Sequence, residues 1–266
     1  MPLAVCATPI GNLEDVTLRV LDELRSADVV LCEDTRHTRV LLERHGISAR
    51  LRSYHEHNEA KRTAELLPRL QAGERVALVS DAGLPGISDP GARLIVAALG
   101  AGVAVTVLPG PSAVETALVA SGLAAERYQF VGFLPRGATA LRALWDELGR
   151  WPHAVVAFES PQRLPATLRA LADADPERPI AVCRELTKKF EEVVRGTAGE
   201  VAERFGTPPK GEITLVLGAA VAQDDSDEAV AAVAELVGAG LPRRQAADVV
   251  ARLTGAARNE LYRRTL

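Results

Sequence analysis

Residues 75–96 read RVALVSDAGLPGISDPGARLIV. The apolar run at 75–79 has the length of a buried strand, and ARLIV at 92–96 resumes as a helix. Between them, residues 80–91 hold Gly83, Gly86 and Gly91, two prolines and two Ser-Asp pairs. A strand that ends in so rich a loop and returns as a helix is one unit of a parallel α/β sheet, whose ligands gather beyond the carboxyl ends of the strands.

The same rhythm recurs on both sides. LAVCA at 3–7 reads as a strand, with Leu18, Leu21, Leu24 and Ala27 at helical spacing behind it. VVLC at 29–32 is a strand, 38–45 a helix, LRSYH at 51–55 a short strand and 60–70 a helix. After the opening stretch come a helix at 92–99, a strand at 103–108 and a helix at 113–120. Five strands alternating with helices predict a mainly parallel sheet covered on both faces.

The rhythm restarts after residue 122. Strands are expected at 128–134, 154–158, 180–183, 191–196 and 213–218, with helices at 138–148 and 164–172 and a short one within GEVAERF. The expected organisation is therefore an α/β domain at 1–122, a second, mixed-sheet α/β domain at 123–218, an acidic linker at 219–229, and a helical, arginine-rich region at 230–266. That last region carries Arg243, Arg244, Arg252, Arg258, Arg263 and Arg264 against Asp248 and Glu260. Such a basic helical tail binds nucleic acid, or it is a solvated face of a packing element.

Composition narrows the class. Aromatic residues make up 4% of the 266, too few for a base-stacking platform, and the net charge of -4 gives no general polyanion-binding surface. Cys6, Cys32 and Cys183 are far apart and each sits in or beside an apolar run. Neither a disulfide framework nor a thiolate metal site is expected. With no basic leader and no eighteen-residue apolar span, the expected compartment is the cytoplasm.

The loops carry the chemistry. ATPIGN follows the first strand, SDAGLPG the fourth, PGPSA the fifth, and ESP the strand at 154–158. None has the GxGxxG or GxxxxGK[ST] spacing of a phosphate cradle, which leaves room for an adenosyl group with its amino acid. Asp89 precedes a helix and reads as its N-cap, whereas Asp81 stands just past the apolar run, where a carboxylate either accepts hydrogen bonds from a ligand or caps the turn. Ser112 either faces a ligand or caps its helix. CRELTKKFEE at 183–192 sets Arg184, Glu185, Lys188 and Lys189 directly after a strand, as phosphate-positioning charge or as a solvated loop. His55 and His57 lack a third metal ligand nearby, and no metal is expected.

ATPIGNLEDVTLR, CEDTRHTRVLL, YHEHNE, SDAGLPGISDPG, LPGPSA, FVGFLPR, FESPQRL, CRELTKKFEE and GEITLVL, in this order, resemble the tetrapyrrole methylase superfamily. Within it they are most similar to the bacterial small-subunit ribosomal RNA cytidine 2'-O-ribose methyltransferases. The likeness spans about residues 3–218, and the basic C-terminal segment shares it. It implies a homodimer whose subunits each hold S-adenosyl-L-methionine in a cleft between the two α/β domains, with the small-subunit ribosomal RNA or the 30S subunit as partner and neither DNA nor membrane.

By this resemblance the cofactor-binding set is Pro9, then Ser80, Asp81, Ala82, Gly83, Leu84 and Pro85, then Ser112, Ala113, Phe158, Leu186, Gly211, Glu212, Ile213 and Thr214. Asp81, Glu185 and Lys188 are the candidates for taking a proton from the attacking hydroxyl. Arg184, Lys188, Lys189, Arg243, Arg244 and Arg258 are the candidates for RNA binding. Leu84 stands where this subgroup commonly carries threonine, and Gln162 where histidine is frequent, so neither side chain is expected to hydrogen-bond the ligand or act in catalysis. A tetrapyrrole acceptor, and a noncatalytic RNA-binding assembly factor, are the alternatives.

Overall fold

A computed structural model of the chain describes residues 2–124, 126–220 and 226–266. The chain divides into two compact units, residues 1–147 with 153–219, and residues 148–152 with 220–266. The larger unit contains two sheets.

The first lobe runs β1 (Leu3–Cys6), a 3-10 turn (Leu13–Asp15), α1 (Leu18–Ser26), β2 (Val29–Cys32), α2 (Thr35–Arg44), β3 (Leu51–Ser53), α3 (Glu59–Gln71), β4 (Val76–Leu78), α4 (Ala92–Gly100), β5 (Val105–Leu108) and α5 (Ala113–Ser121). Its sheet has the order β3-β2-β4-β1-β5, all parallel. Strand alternation divides the core in two. Leu3 and Val5 pack with Leu66, Leu70 and Leu94 of α3 and α4, while Ala4 and Cys6 pack with Val20, Leu24 and Leu42 of α1 and α2. All of these are buried, so each leucine contributes about 1.5–3 kcal/mol.

The second lobe runs β6 (Tyr128–Phe133), α6 (Ala138–Leu148), β7 (Ala154–Glu159), α7 (Leu164–Ala174), β8 (Pro179–Arg184), β9 (Glu192–Thr197), α8 (Ala198–Arg204) and β10 (Ile213–Leu217). Its sheet has the order β6-β7-β10-β8-β9; only the β6–β7 pair is parallel. Helix α5 covers this second sheet. Its Val114, Ala117 and Leu118 pack with Ala154, Val156, Ala181, Cys183 and Val216. The division expected near residue 122 thus falls after a helix that already belongs to the second core.

Helix α2 starts at Thr35, three residues before the helix expected at 38–45, because Asp34 caps it by accepting from the Arg36 amide at 2.8 Å. Asp89 is not the cap expected for α4. That position is Gly91, at φ 142° with no side-chain bond, and the helix begins at Ala92.

The smaller unit holds α9 (Ser226–Gly238), α10 (Arg243–Thr254) and α11 (Arg258–Arg264). They close on Ala229, Val233, Ala246, Ala247, Val250 and Leu261. Of the expected linker, 221–225 lie outside the described residues, and α9 begins at Ser226 inside the remainder. Among the described residues no helix is long and apolar enough to cross a membrane.

Candidate active site

In the first sheet, β1 lies between β4 and β5. The loops after these three strands therefore leave the same edge side by side, although they are far apart in sequence. The first two are tied together: the Thr8 amide donates to the Gly83 carbonyl at 2.8 Å, the Gly83 amide returns to Thr8 at 3.1 Å, and the Thr8 hydroxyl donates to the Ser80 carbonyl at 3.0 Å. Gly83 accepts this bridge at φ 75°, in the left-handed region open to glycine.

The second lobe meets this edge with the loop after β8 and the turn before β10. The Glu185 amide donates to the Glu212 carbonyl at 3.0 Å, and the Glu212 amide donates to the Glu185 carboxylate at 2.9 Å. Lys188 Nζ donates to both carboxylates at 2.9 Å. Gly211, at φ 99°, leaves the space this lattice needs, since a Cβ there would sit 2.4 Å from Glu185 Cγ. Gly11 does the same between the lobes: a Cβ would lie 2.6 Å from Lys188 Cγ, and the adjacent Asn12 amide donates to the Thr187 hydroxyl at 3.0 Å. Among the described residues, the non-glycine residues at positive φ are Ser88, Glu185 and Thr187. All three belong to the loops that meet here, and backbone strain of this kind costs about 1–3 kcal/mol each and gathers at functional sites.

Between the loops lies a cavity of about 660 Å³. Of the expected cofactor set, Asp81, Ala82, Gly83, Leu84, Ser112, Ala113, Phe158, Leu186, Gly211, Glu212, Ile213 and Thr214 line it. Pro9 and Ser80 line a smaller pocket of about 260 Å³ that shares Ile10, Asp81, Ala82 and Glu212 with the first. Pro85 is buried and lines neither.

Five carboxylates, Asp81, Asp89, Glu115, Glu159 and Glu212, line the larger cavity, and no Lys, Arg or His does so among the described residues. Four of them have firm partners. Asp81 accepts from the Asp34 amide at 3.1 Å and pairs with His37 Nδ1 at 3.2 Å. Glu115 accepts from the Ser112 hydroxyl and from Tyr128 at 2.7 Å, which leaves Ser112 without a capping bond to its helix. Glu159, fully buried, accepts from the Ser160 amide and Thr167, with Arg163 at 3.1 Å. Glu212 pairs with Lys188. Asp89 differs. Burial, then Glu33 and Asp81, push its carboxyl up to about 6, against a stabilising bond from Ser80.

The other candidates also have definite surroundings. The Glu212 amide and then Lys188 hold the Glu185 carboxyl below the usual range, so it is a weak proton acceptor. For Lys188, partial burial opposes the charge, but bonds to Glu185 and Glu212 outweigh it and raise the ammonium's pKa. Neither group is poised as a base. Arg184 pairs with Glu192 at 3.0 Å and donates to the Lys210 carbonyl at 3.1 Å, whereas Lys189 is exposed beside the Phe190 ring. Burial raises the Cys183 thiol to about 11, which removes it as a nucleophile although it lines the cavity. In the smaller unit, Arg243 and Arg244 open α10, and Arg258 pairs with Asp248.

Sequence reasoning passed over Ile10, Glu33 and His37. The signal for His37 was the Asp34 cap, which sets the helix three residues earlier and turns the histidine toward Asp81.

A family model described as Tetrapyrrole (Corrin/Porphyrin) Methylases matches residues 2–202, and one described as the RsmI C-terminal HTH domain matches residues 223–266. Ribosomal RNA small subunit methyltransferase I of Mesorhizobium japonicum is 44% identical over 267 residues, covering 99% of this chain and 91% of that protein. Its namesake from Thermotoga maritima is 45% identical over 216 residues, 81% of this chain and 97% of that one. Among solved structures, uroporphyrin-III C-methyl transferase from Thermus thermophilus, complexed with S-adenyl homocysteine, superposes with a TM-score of 0.57 at 23% identity. That alignment covers 82% of this chain and 98% of the other. The methyltransferase CobJ gives 0.62 at 20% identity, covering 82% and 94%. At these identities the structures show the shared fold.

Proposed function

The chain belongs to the tetrapyrrole methylase family, in the branch of the ribosomal RNA small subunit methyltransferase I proteins, and from that premise we propose that it methylates the ribose 2'-oxygen of a cytidine in the decoding region of small-subunit (16S) ribosomal RNA. S-adenosyl-L-methionine, when bound, supplies a methyl group on a sulfonium that leaves as a neutral thioether. The observation that carries the reading is the lining of the larger cavity. Five carboxylates without a basic side chain among the described residues disfavour a phosphate-bearing nucleotide and suit a cationic sulfonium.

The residues present fit this group. Leu84, Ala113, Leu186 and Ile213 offer apolar wall to an adenosyl moiety, and Gly83 and Gly211 let backbone approach it closely. Asp81 and, from the second lobe, Glu212 line both this cavity and the smaller pocket. The chain's own contribution is alignment: the Thr8–Gly83 bridge and the Glu185–Lys188–Glu212 lattice hold the two walls in place.

Recognition of the RNA falls to basic side chains outside the cavity. Lys189 is exposed at the β8 loop, and Arg243, Arg244 and Arg258 belong to the unit matched by the helix-turn-helix family model. Arg184 and Lys188 act there through the ion pairs they already make, shaping the loop more than meeting phosphate. The protein works as a homodimer in the cytoplasm. Edge strand β5 exposes Val107 by 51%, and the neighbouring α4 exposes Val96 by 69% and Leu99 by 58%, an apolar surface that a second copy covers.

The test presents the protein and methyl-labelled cofactor with two acceptors in parallel, unmodified 30S subunits and uroporphyrinogen. Label in the RNA supports the reading; label in the porphyrinoid assigns the chain to tetrapyrrole chemistry. Binding of both cofactor and RNA without transfer identifies an assembly factor.

A further inference from the structure

The smaller pocket carries chemistry that the cofactor cavity does not explain. It is lined by Pro9 and Ile10 from the first loop, by Val40 and Leu41 of α2, by Lys188 from the second lobe, and by His37. At about 260 Å³ it has room for one unstacked sugar-base unit, the form in which nucleic-acid enzymes take an acceptor out of its strand. Asp81 is common to both cavities and lies at their junction.

His37 meets that junction as the second member of an Asp-His pair. Its Nδ1 is 3.2 Å from Asp81 Oδ2, while Asp81 Oδ1 accepts from the Asp34 amide at 3.1 Å. Asp34 also caps α2, so one residue fixes both the helix turn that carries the histidine and the carboxylate that orients it. With the Nδ1 proton donated to Asp81, Nε2 holds a free lone pair, and the side chain is 70% exposed. The two firmest rivals are committed elsewhere, since Glu185 and Lys188 neutralise each other.

On the reading that the acceptor is a ribose, we propose that the smaller pocket is the acceptor subsite and that His37, oriented by Asp81, takes the proton from the attacking 2'-hydroxyl. The 2'-oxygen forms its bond to the methyl carbon as the carbon-sulfur bond breaks, and that pair stays on sulfur. The hydroxyl proton passes to His37 Nε2, and the imidazolium so formed faces the Asp81 carboxylate. His37 is then the catalytic residue and Asp81 its positioning residue. The charged groups around the imidazole are Asp81 from the β4 loop and Asp34 and Arg36 at the start of its own helix. Lys188 and Glu212 line the same pocket from the opposite lobe.

The test is single-turnover methyl transfer to 30S subunits between pH 6 and 9, with cofactor and subunit affinities measured separately for each variant. H37N is expected to lose about 100-fold or more in rate, together with the acid limb of the wild-type profile. Cofactor and 30S affinities should hold within about threefold, the margin that separates lost binding from lost chemistry. Nitrogen-15 spectra of the free protein give a readout independent of turnover: the wild type should show His37 protonated at Nδ1, and D81N should redistribute the proton toward Nε2. Full rate and an intact acid limb in H37N would overturn the proposal, as would a loss of 30S affinity that accounts for the whole rate loss. Should the wild type label no ribose, the parent reading fails instead, and a His37 tautomer indifferent to D81N would remove the oriented pair as well.

Discussion

Gly211 shows how much of the cleft depends on one missing side chain. At φ 99°, and with Glu185 where a Cβ would stand, G211A forces both a strained backbone and a displaced carboxylate. The expected cost is about 1–3 kcal/mol in chemical denaturation, accompanied by weaker cofactor binding in calorimetry. Asp89 makes a different demand. Its carboxyl, raised to about 6, holds a proton more tightly folded than unfolded, so stability declines as pH rises from about 3.9 to 6 and stays lower above that. D89N should therefore raise Tm at pH 8, with the gain shrinking as pH falls through 6 toward 4. A lower Tm for D89N at pH 8 would mean that the bond from Ser80 outweighs the burial of charge. The sequence could present Asp89 only as a cap, because the glycine that takes the cap position announces itself through φ and not through residue spacing.

At the scale of elements, period-two and period-3.6 patterns carried most strands and helices, since each buries one face of a regular structure. They did not carry partnership. The apolar face of α5 reads the same whether it covers the first sheet or the second, and only the packing of Val114, Ala117 and Leu118 with β7, β8 and β10 decides it. Local capping was no more legible, since neither Asp89 nor Ser112 caps its helix. Thr197 and Glu200 at the start of α8 form a reciprocal capping box, with the Glu200 amide 3.3 Å from the Thr197 hydroxyl and the Thr197 amide 2.9 Å from the Glu200 carboxylate. T197A should cost about 1 kcal/mol of stability, read from the shift in denaturation midpoint, with cofactor affinity unchanged.

Over the whole molecule, the loops that line the larger cavity were legible because they lie at strand ends and appear in a recognisable order. The acceptor side was not. His37 is linked to Asp81 across 44 positions of sequence, a juxtaposition set by β2 and β4 pairing in the sheet. The basic C-terminal unit was visible as an excess of arginine, and its contribution is testable as electrostatics. R243E/R244E should weaken 30S binding by tenfold or more and flatten its salt dependence, while the cofactor affinity of the cleft stays within twofold.

Transfer of a methyl group to a ribose is decided by where the label ends up. Unmodified 30S subunits treated with the protein and methyl-labelled cofactor are digested to nucleosides and fragmented by mass spectrometry. The expected product is a labelled cytidine whose added mass stays with the sugar when the glycosidic bond breaks. Label that departs with the base, or ribosomal RNA left unlabelled by a protein that binds the cofactor, contradicts transfer to the ribose.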